Sequence, residues 1–229
     1  MTFSTCATAA AVSPSSDDLV FEHICQDLTR QGYSIQPAAL PAGLAQALAL
    51  LASDDSHGGY RQAGIGRGIQ HLTDRSVRND QIRWIDEQGP LEAKWLDWST
   101  RLRGYLNRRL FLGLSFFESH FAHYPPGHFY QRHVDAFRGQ ANRTLTLVTY
   151  LNHDWQPGDG GELVLYRDEQ DVSGIRITPQ MGTLVVFLSE EFPHEVLPAQ
   201  RDRYSIAGWF RSAGAQQLPL SHDGQMPGR

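Results

Sequence analysis

Hydrophobic side chains recur every three or four residues in two segments of the first half of the chain, which predicts two amphipathic helices, and an Ala- and Leu-rich segment after Pro41 predicts a further helix between them. Asp17 and Gly32 are suited to cap the first helix, and Pro90 is suited to open the third. The predicted helices cover 17–31, 42–52 and 90–109, and the apolar stripe of the third consists of Leu91, Trp95, Trp98, Leu102 and Leu106.

From Leu114 onward the pattern changes to short apolar runs bounded by turn residues, which is typical of strands. Gly158–Gly161 marks one of the turns. The predicted strands are 114–124, 128–136, 143–151, 161–167, 174–178, 182–188, 194–198 and 203–211, with a shorter one at 32–36. These strands suit a double-stranded β-helix, a cupin-like jelly roll, so the expected fold is mainly β with supporting α-helices.

A chain of 229 residues with this pattern predicts one domain with two flanks. The domain is expected over 17–211, with helical support in 17–110 and the jelly-roll core in about 114–211. The Ser/Thr/Ala-rich N-terminus 1–16 is expected to be flexible, and 212–229 to form a loosely ordered tail. The glycine-rich segment 53–68 is predicted to be a loop.

Composition excludes several classes of partner and compartment. The net charge of -5 disfavours general binding of nucleic acid or an anionic membrane. Cys6 and Cys25 are too few for a disulfide framework, and no apolar run is long enough to span a membrane. The first residues carry no basic side chain, so they make a poor signal peptide. A cytoplasmic monomer is the expectation.

Candidate chemistry lies in His133-Val134-Asp135 and in the later His194. Residues two apart on a strand point to one face, so His133 and Asp135 can reach one ion, with His194 coming from another strand. Two imidazoles and one carboxylate leave coordination positions open, as in Fe(II) oxygenases, whereas structural zinc sites close their shell, usually with thiolates.

The open positions suit a bidentate 2-oxo acid and O2. Arg203 could bind the far carboxylate of such an acid through two parallel hydrogen bonds. Ser205, Ala207 and Trp209 share its strand face, and the opposite face is predicted to be ordinary packing. A lone His-x-Asp pair is common, so the prediction depends on the combination. The remaining histidines, including His120, His123, His128 and His153, are predicted to be structural or surface residues.

These motifs resemble the 2-oxoglutarate-dependent prolyl hydroxylases of the hypoxia-inducible-factor type, especially their bacterial relatives. The resemblance covers roughly Gly68 to Arg211. Its segments are Ile82–Asp86, Tyr124–Gly127, Arg132–Asp135, Arg143, Thr149–Asn152, Asp154–Trp155, Gly160–Leu163, Pro193–Val196 and Arg203–Trp209. At the position whose positive charge binds the co-substrate, this chain has Arg203, whereas collagen-type prolyl hydroxylases usually have Lys. The metal carboxylate Asp135, which halogenases of this fold lose, is present.

The resemblance implies a role for each matching residue. The implied Fe(II) ligands are His133, Asp135 and His194. The C5 carboxylate of 2-oxoglutarate would be bound by Arg203 and Tyr150, with Tyr124 beside the co-substrate and Trp209 as a wall of the pocket. The implied substrate contacts are Arg143, Asp80 and Trp84. The resemblance also implies that 70–86 is a mobile strand–loop–strand segment closing over a target peptide. The alternatives are a core tyrosine at 150, simple packing at 209, a solvated charge at 143 and a plain surface hairpin at 70–86.

The function implied is a dioxygenase that uses Fe(II), 2-oxoglutarate, O2 and ascorbate as reductant to hydroxylate a prolyl residue of a protein. The bacterial relatives point to elongation factor Tu as that protein, and an oxygen- or iron-sensing role depends on the same resemblance. Two alternatives remain open: a hydroxylase of a small molecule or free amino acid, and a metal-binding jelly-roll protein without turnover.

Overall fold

Two antiparallel sheets and three helices are formed by residues 15–54, 59–64, 76–136 and 143–212, the part of the chain described by the structure, a computed structural model. The helices are α1 Ser16–Gln31, α2 Ala42–Ser53 and α3 Pro90–Leu110. The strands are β1 Tyr33–Gln36, β2 Arg61–Gln62, β3 Gln81–Trp84, β4 Leu114–Tyr124, β5 Tyr130–His133, β6 Arg143–Tyr150, β7 Leu163–Leu165, β8 Ile175–Ile177, β9 Leu184–Leu188, β10 His194–Val196 and β11 Arg203–Ser212.

The larger sheet has the order β1-β9-β6-β11-β4-β3-β2, and the smaller sheet has the order β5-β10-β7-β8. All pairings between these strands are antiparallel. The neighbours in each sheet are mostly distant in sequence, as in a jelly roll, where the chain alternates between two facing sheets. The predicted fold class is therefore confirmed.

Apolar side chains fill two layers. Between the sheets, Tyr150 and Phe187 of the larger sheet pack with Leu163 and Val196 of the smaller one. On the other face of the larger sheet, side chains of β11 such as Phe210 pack with the three helices. The apolar stripe of α3 lies in this outer layer, so the helices support the sheet as predicted.

The N-terminus of α1 differs from the prediction, whereas its C-terminus agrees with it. Ser15, rather than Asp17, is the N-cap, because its hydroxyl accepts from the Asp18 backbone while the Asp18 carboxylate accepts from the Ser15 backbone. Asp17 instead pairs with Arg101 of α3 at 2.7 Å. Gly32 ends the helix with a φ of 79° as predicted, a left-handed conformation that costs glycine little.

The eight predicted core strands and the early strand are all present, although several are shorter than expected. The predicted strand 128–136 is reduced to Tyr130–His133, so Asp135 lies in a bend beyond the strand end. The two-residue strand β2, within the predicted loop 53–68, was not foreseen, because it forms by pairing with β3 rather than by local pattern. Residues 1–14, 55–58, 65–75, 137–142 and 213–229 lie outside the described residues, and they include most of the predicted flanks 1–16 and 212–229. Both flank boundaries differ slightly from the prediction, because Ser15 caps α1, which begins at Ser16, and Ser212 ends β11.

None of the helices in the described ranges is both long enough and apolar enough to cross a membrane.

Candidate active site

Two neighbouring strands of the smaller sheet bring His133 and His194 side by side. His133 ends β5, His194 begins β10, and the antiparallel register pairs the two residues directly. The carboxylate oxygens of Asp135 lie 3.7 Å from His133 Nε2 and 3.6 Å from His194 Nε2. All three ligand atoms therefore lie within 4.8 Å of one another, a spacing that suits a single metal ion.

Both imidazoles are fixed in one tautomer by backbone carbonyls. His133 Nδ1 lies 2.8 Å from the carbonyl oxygen of Gln131, and His194 Nδ1 lies 3.0 Å from that of Phe192. Because a carbonyl oxygen can only accept, each Nδ1 carries the proton and each Nε2 offers its lone pair to the centre of the site. Burial, with His194 nearby, lowers the pKa of His133 to about 3, so the ring is neutral and able to bind a metal at neutral pH.

Asp135 is oriented by side chains of the larger sheet rather than by a strand of its own. Thr146 Oγ1 donates to Asp135 Oδ2 at 2.7 Å, and Ser189 Oγ lies 2.9 Å from Thr146 Oγ1. The single hydroxyl proton of Thr146 points to the carboxylate, so Ser189 must donate to Thr146. Burial would raise the pKa of Asp135, but the two histidines, Arg143 and this hydrogen bond outweigh it and hold the pKa below its usual range.

The donor set fits Fe(II). Two imidazole nitrogens and one carboxylate from one side leave several coordination positions free, which suits an oxygenase centre better than a closed zinc site. Cys25 is buried in α1, in the outer layer, so it cannot complete a thiolate shell here.

The larger sheet also carries a buried cation, Arg203, in addition to the Thr146 that orients Asp135. Arg203, at the start of β11, is 1% exposed, and its guanidinium donates to the carbonyl oxygen of Gly161 at 2.7 Å and to Ser205 Oγ at 3.2 Å. In the part of the chain that the structure describes, no carboxylate pairs with it. A buried charge without a counter-charge is strongly unfavourable, so this position favours an anionic ligand.

Two tyrosines flank that cation. The guanidinium carbon of Arg203 lies 4.9 Å from the ring centre of Tyr124 and 5.2 Å from that of Tyr150. The buried hydroxyl of Tyr150 makes no well-formed hydrogen bond within the described residues, although the guanidinium is adjacent. An unsatisfied buried hydroxyl next to an unpaired cation matches the carboxylate end of a 2-oxo acid, which would accept from both.

Trp209 lies further along β11 and is 8% exposed. Ser205 and Ala207 lie between Arg203 and Trp209 at alternate positions of the strand, and their small side chains leave space on the inner face. The other face of β11 packs against the helices, as predicted, through Ile206 and Phe210. The strand therefore presents Arg203 and Trp209 on the face opposite to the one that packs on the helices.

Comparisons with known proteins agree with this geometry. Residues 119–211 match the 2OG-Fe(II) oxygenase superfamily. The solved structure of a prolyl-4-hydroxylase from Pseudomonas putida is 43% identical, with a TM-score of 0.74, over 85% of this chain and 100% of that chain. The chain belongs to the prolyl hydroxylase family of 2OG-Fe(II) oxygenases. This superfamily uses Fe(II), 2-oxoglutarate and O2.

Two further members of the prolyl hydroxylase family are more distant. A prolyl hydroxylase from Trichoplax adhaerens, solved in complex with a hypoxia-inducible-factor oxygen degradation domain peptide fragment, is 28% identical with a TM-score of 0.73, over 86% of this chain and 90% of that chain. Egl nine homolog 1 of Mus musculus is 31% identical over 159 residues. The matched region covers 65% of this chain and 39% of that protein, so the chain spans well under half of that relative's length.

Asp80, a predicted substrate contact, has no exposed surface. Its two oxygens accept from Arg78 at 2.8 and 2.7 Å, so the carboxylate is fully committed inside the protein. The guanidinium of Arg78 lies 4.2 Å from the ring centre of Tyr130, and that ring stacks on His133 with centroids 3.6 Å apart. Asp80 is therefore linked to the site through Arg78 and Tyr130, and its contact with a substrate stays a prediction.

Trp84, another predicted substrate contact, is 50% exposed at the end of β3. Its ring packs edge-to-face with the His120 ring, with centroids 5.2 Å apart, and the centroids of the His120 and Trp209 rings are 5.5 Å apart. Three rings thus form a row from the exposed Trp84 to the buried Trp209. Strand β3 of the predicted closing segment 70–86 pairs with β2 and carries Trp84 at its end. Residues 70–75 of that segment lie outside the described residues, so its closing over a peptide stays a prediction.

Several residues of the site were not predicted from the sequence. Thr146 shares its face of β6 with Tyr150, and this spacing is the one signal that could have pointed to it. Ser189, Arg78, Tyr130 and His120 offered no such signal, because each joins the site through a neighbour distant in the chain. His128 binds the carbonyl oxygen of Asn79 at 2.6 Å and stays outside the triad, so its structural assignment is consistent with the structure.

Proposed function

We propose that this protein is a 2-oxoglutarate- and Fe(II)-dependent dioxygenase that hydroxylates a prolyl residue of a protein. One observation carries the proposal: the His–Asp–His triad occurs together with a buried Arg203 that pairs with no carboxylate of the described residues. A metal-binding protein without a co-substrate would have no use for that second, costly charge. Membership of the prolyl hydroxylase family supports the reaction type.

Each residue then has a distinct task. His133, His194 and Asp135 hold Fe(II) from one side, and Arg203 with the Tyr150 hydroxyl holds the C5 carboxylate of 2-oxoglutarate. When bound, the iron and the 2-oxo acid supply the oxidising chemistry that puts one atom of O2 into a C–H bond and releases succinate and CO2.

The pocket also has to limit access of water and orient the substrate. The Trp209 side chain forms a buried apolar wall, and Ser205 and Ala207 keep the centre of the pocket open. Trp84, half exposed at the pocket edge, offers an apolar surface on which a peptide could rest. Exclusion of water protects a reactive centre from side reactions, and orientation of the substrate presents that centre with one C–H bond.

The protein that carries the target proline is proposed to be elongation factor Tu, on the strength of the resemblance to bacterial prolyl hydroxylases. A peptide substrate is compatible with the Trichoplax adhaerens relative, which was solved with a peptide. Ascorbate would act as the reductant that keeps the iron in its ferrous state.

The test is mass spectrometry of elongation factor Tu after incubation with the enzyme, Fe(II), ascorbate and 2-oxoglutarate. We expect the gain of one oxygen atom at a single proline, lost when 2-oxoglutarate is omitted or when His194→Ala replaces the enzyme. Succinate formed without any modified proline would keep the dioxygenase and reject this partner. Absence of succinate with every substrate, despite bound iron, would reject the enzyme activity itself.

A further inference from the structure

A cluster of three charged residues next to Trp209, named here the two-arginine cluster, consists of Glu118, Arg143 and Arg211. Both arginines donate through Nη2 to the same oxygen, Glu118 Oε1, at 3.1 Å from Arg143 and in closer contact from Arg211. Arg143 and Arg211 are direct register partners on β6 and β11. Like charges placed directly opposite in a sheet are destabilising, so this arrangement needs a compensating benefit.

The charges of the two-arginine cluster do not balance. Two guanidinium groups share one carboxylate, which leaves one positive charge in excess. The buried Nε atoms of Arg143 and Arg211 have no hydrogen-bond partner within the described residues. Asp135 also attracts Arg143, but that carboxylate belongs to the metal triad. The side chains of the arginines are each 20% exposed, so a ligand from outside can still reach them.

The position of the cluster separates it from the co-substrate site. Arg203 and Arg211 lie at opposite ends of β11, about 26 Å apart at the usual rise per residue of a strand. The Arg143 guanidinium lies 3.7 Å from the ring centre of Trp209, whose register partner on β6 is Thr146, the residue that holds Asp135. The two-arginine cluster is therefore next to the metal triad through Trp209 and Thr146, at the end of β11 opposite Arg203.

We propose that Arg143 and Arg211 bind a carboxylate side chain of the protein substrate close to its target proline, so that this enzyme selects proline segments with an adjacent acidic residue. The inference rests on the proposed function. Guanidinium groups bind carboxylates with two directed hydrogen bonds, and each guanidinium here has N–H groups beyond the Nη2 donor that Glu118 accepts. Glu118 holds the two guanidinium groups together until the substrate carboxylate arrives.

The test compares fluorescein-labelled peptides that contain one proline among alanines and carry either Glu or Gln at successive positions near that proline. Binding is measured by fluorescence polarisation with Mn(II) and 2-oxoglutarate present, a condition without turnover. At the favoured position we expect the Glu peptide to bind about tenfold more tightly than its Gln partner. Equal affinity for both members at every position, absent binding included, overturns the inference.

Two variants should change this preference in opposite directions. Arg211→Gln removes the excess charge and should bring the Glu-to-Gln affinity ratio close to one. Glu118→Gln frees both arginines and should raise the ratio above that of the wild type. If both substitutions lower the ratio together, the two-arginine cluster has a merely structural role. Arg109→Gln, which breaks an exposed ion pair with Glu22 at the end of α3, changes the net charge equally and should keep the wild-type ratio.

Turnover of the same peptides separates this inference from the proposed function. Hydroxylation without a preference for Glu would overturn the inference and leave prolyl hydroxylation intact. A clear Glu preference in binding, with no hydroxylation of any peptide, would instead uphold the carboxylate site and count against peptidyl proline as the substrate.

Discussion

At the scale of single residues, the carboxylate proposed to bind the metal is oriented by two hydroxyl groups that no metal-binding motif contains. Asp135 lies beyond the end of β5, so no strand ladder fixes its backbone. Its direction is set instead by the chain of hydrogen bonds from Ser189 to Thr146 and on to Oδ2. Such partners orient ligands and commonly change metal affinity ten- to a hundredfold when removed.

We therefore predict that Thr146→Val weakens metal binding by about tenfold, because the isosteric side chain cannot donate to Asp135. Mn(II) affinity, measured by electron paramagnetic resonance of the free ion, reports this directly. Thr146→Ser should restore most of the affinity, since it keeps the hydroxyl. The matched control is Thr149→Val, on the same strand as Thr146, which removes a hydroxyl that donates to the backbone carbonyl of Thr183. Wild-type Mn(II) affinity in Thr146→Val would contradict the orienting role.

At the scale of elements, periodic patterns predicted most of the fold because most elements bury one continuous face. The stripe on α3 and the apolar runs of the core strands are local properties of the sequence. By contrast, β2 consists of Arg61 and Gln62, which have no strand pattern and form a strand only through pairing with β3. The strand face argued for His133 and Asp135 placed the right residues together, although β5 ends before Asp135.

The strand β4 buries a histidine whose protonation should affect folding. Burial, with a further contribution from Arg78, lowers the pKa of His120 to about 4 from the ordinary value of 6.5. The unfolded chain then takes up a proton below pH 6.5, whereas the folded protein does so only near pH 4. The stabilisation due to neutral His120 is thus complete above pH 6.5 and is lost as the pH falls towards 4.

We predict that His120→Met reduces the loss of stability between pH 7 and pH 5 by roughly 2 kcal/mol. The free energy of unfolding in urea, measured at both pH values without metal, gives the comparison. Between these pH values the wild-type protein should lose more stability than the variant. Both proteins contain His133, but only the wild type also contains His120, and both histidines resist protonation when the protein is folded. The same change with pH in both proteins would show that His120 is already protonated or exposed before unfolding.

At the scale of the whole molecule, the site is a product of the two sheets. The smaller sheet supplies His133 and His194, and the larger sheet supplies Arg203 and Tyr150. Sequence alone could predict the triad and the cation, because each lies in a short motif with known chemistry. It could not predict the two-arginine cluster or the Ser189–Thr146 chain, since these depend on which distant strands become neighbours and in which register.

Because the ligands join both sheets, their binding should stabilise the whole fold. A ligand present at a hundred times its dissociation constant adds about 2.7 kcal/mol, or roughly 5–10 °C in Tm for a domain of this size. We predict such a rise when 2-oxoglutarate is added to the Mn(II)-loaded protein. Arg203→Met should abolish the rise in Tm caused by 2-oxoglutarate and keep the rise caused by Mn(II). His194→Ala should already lack the rise in Tm caused by Mn(II). Thermal unfolding followed by circular dichroism compares the wild type and both variants without ligand, with Mn(II), and with Mn(II) plus 2-oxoglutarate. A full 2-oxoglutarate rise in Arg203→Met would mean that another cation binds the C5 carboxylate.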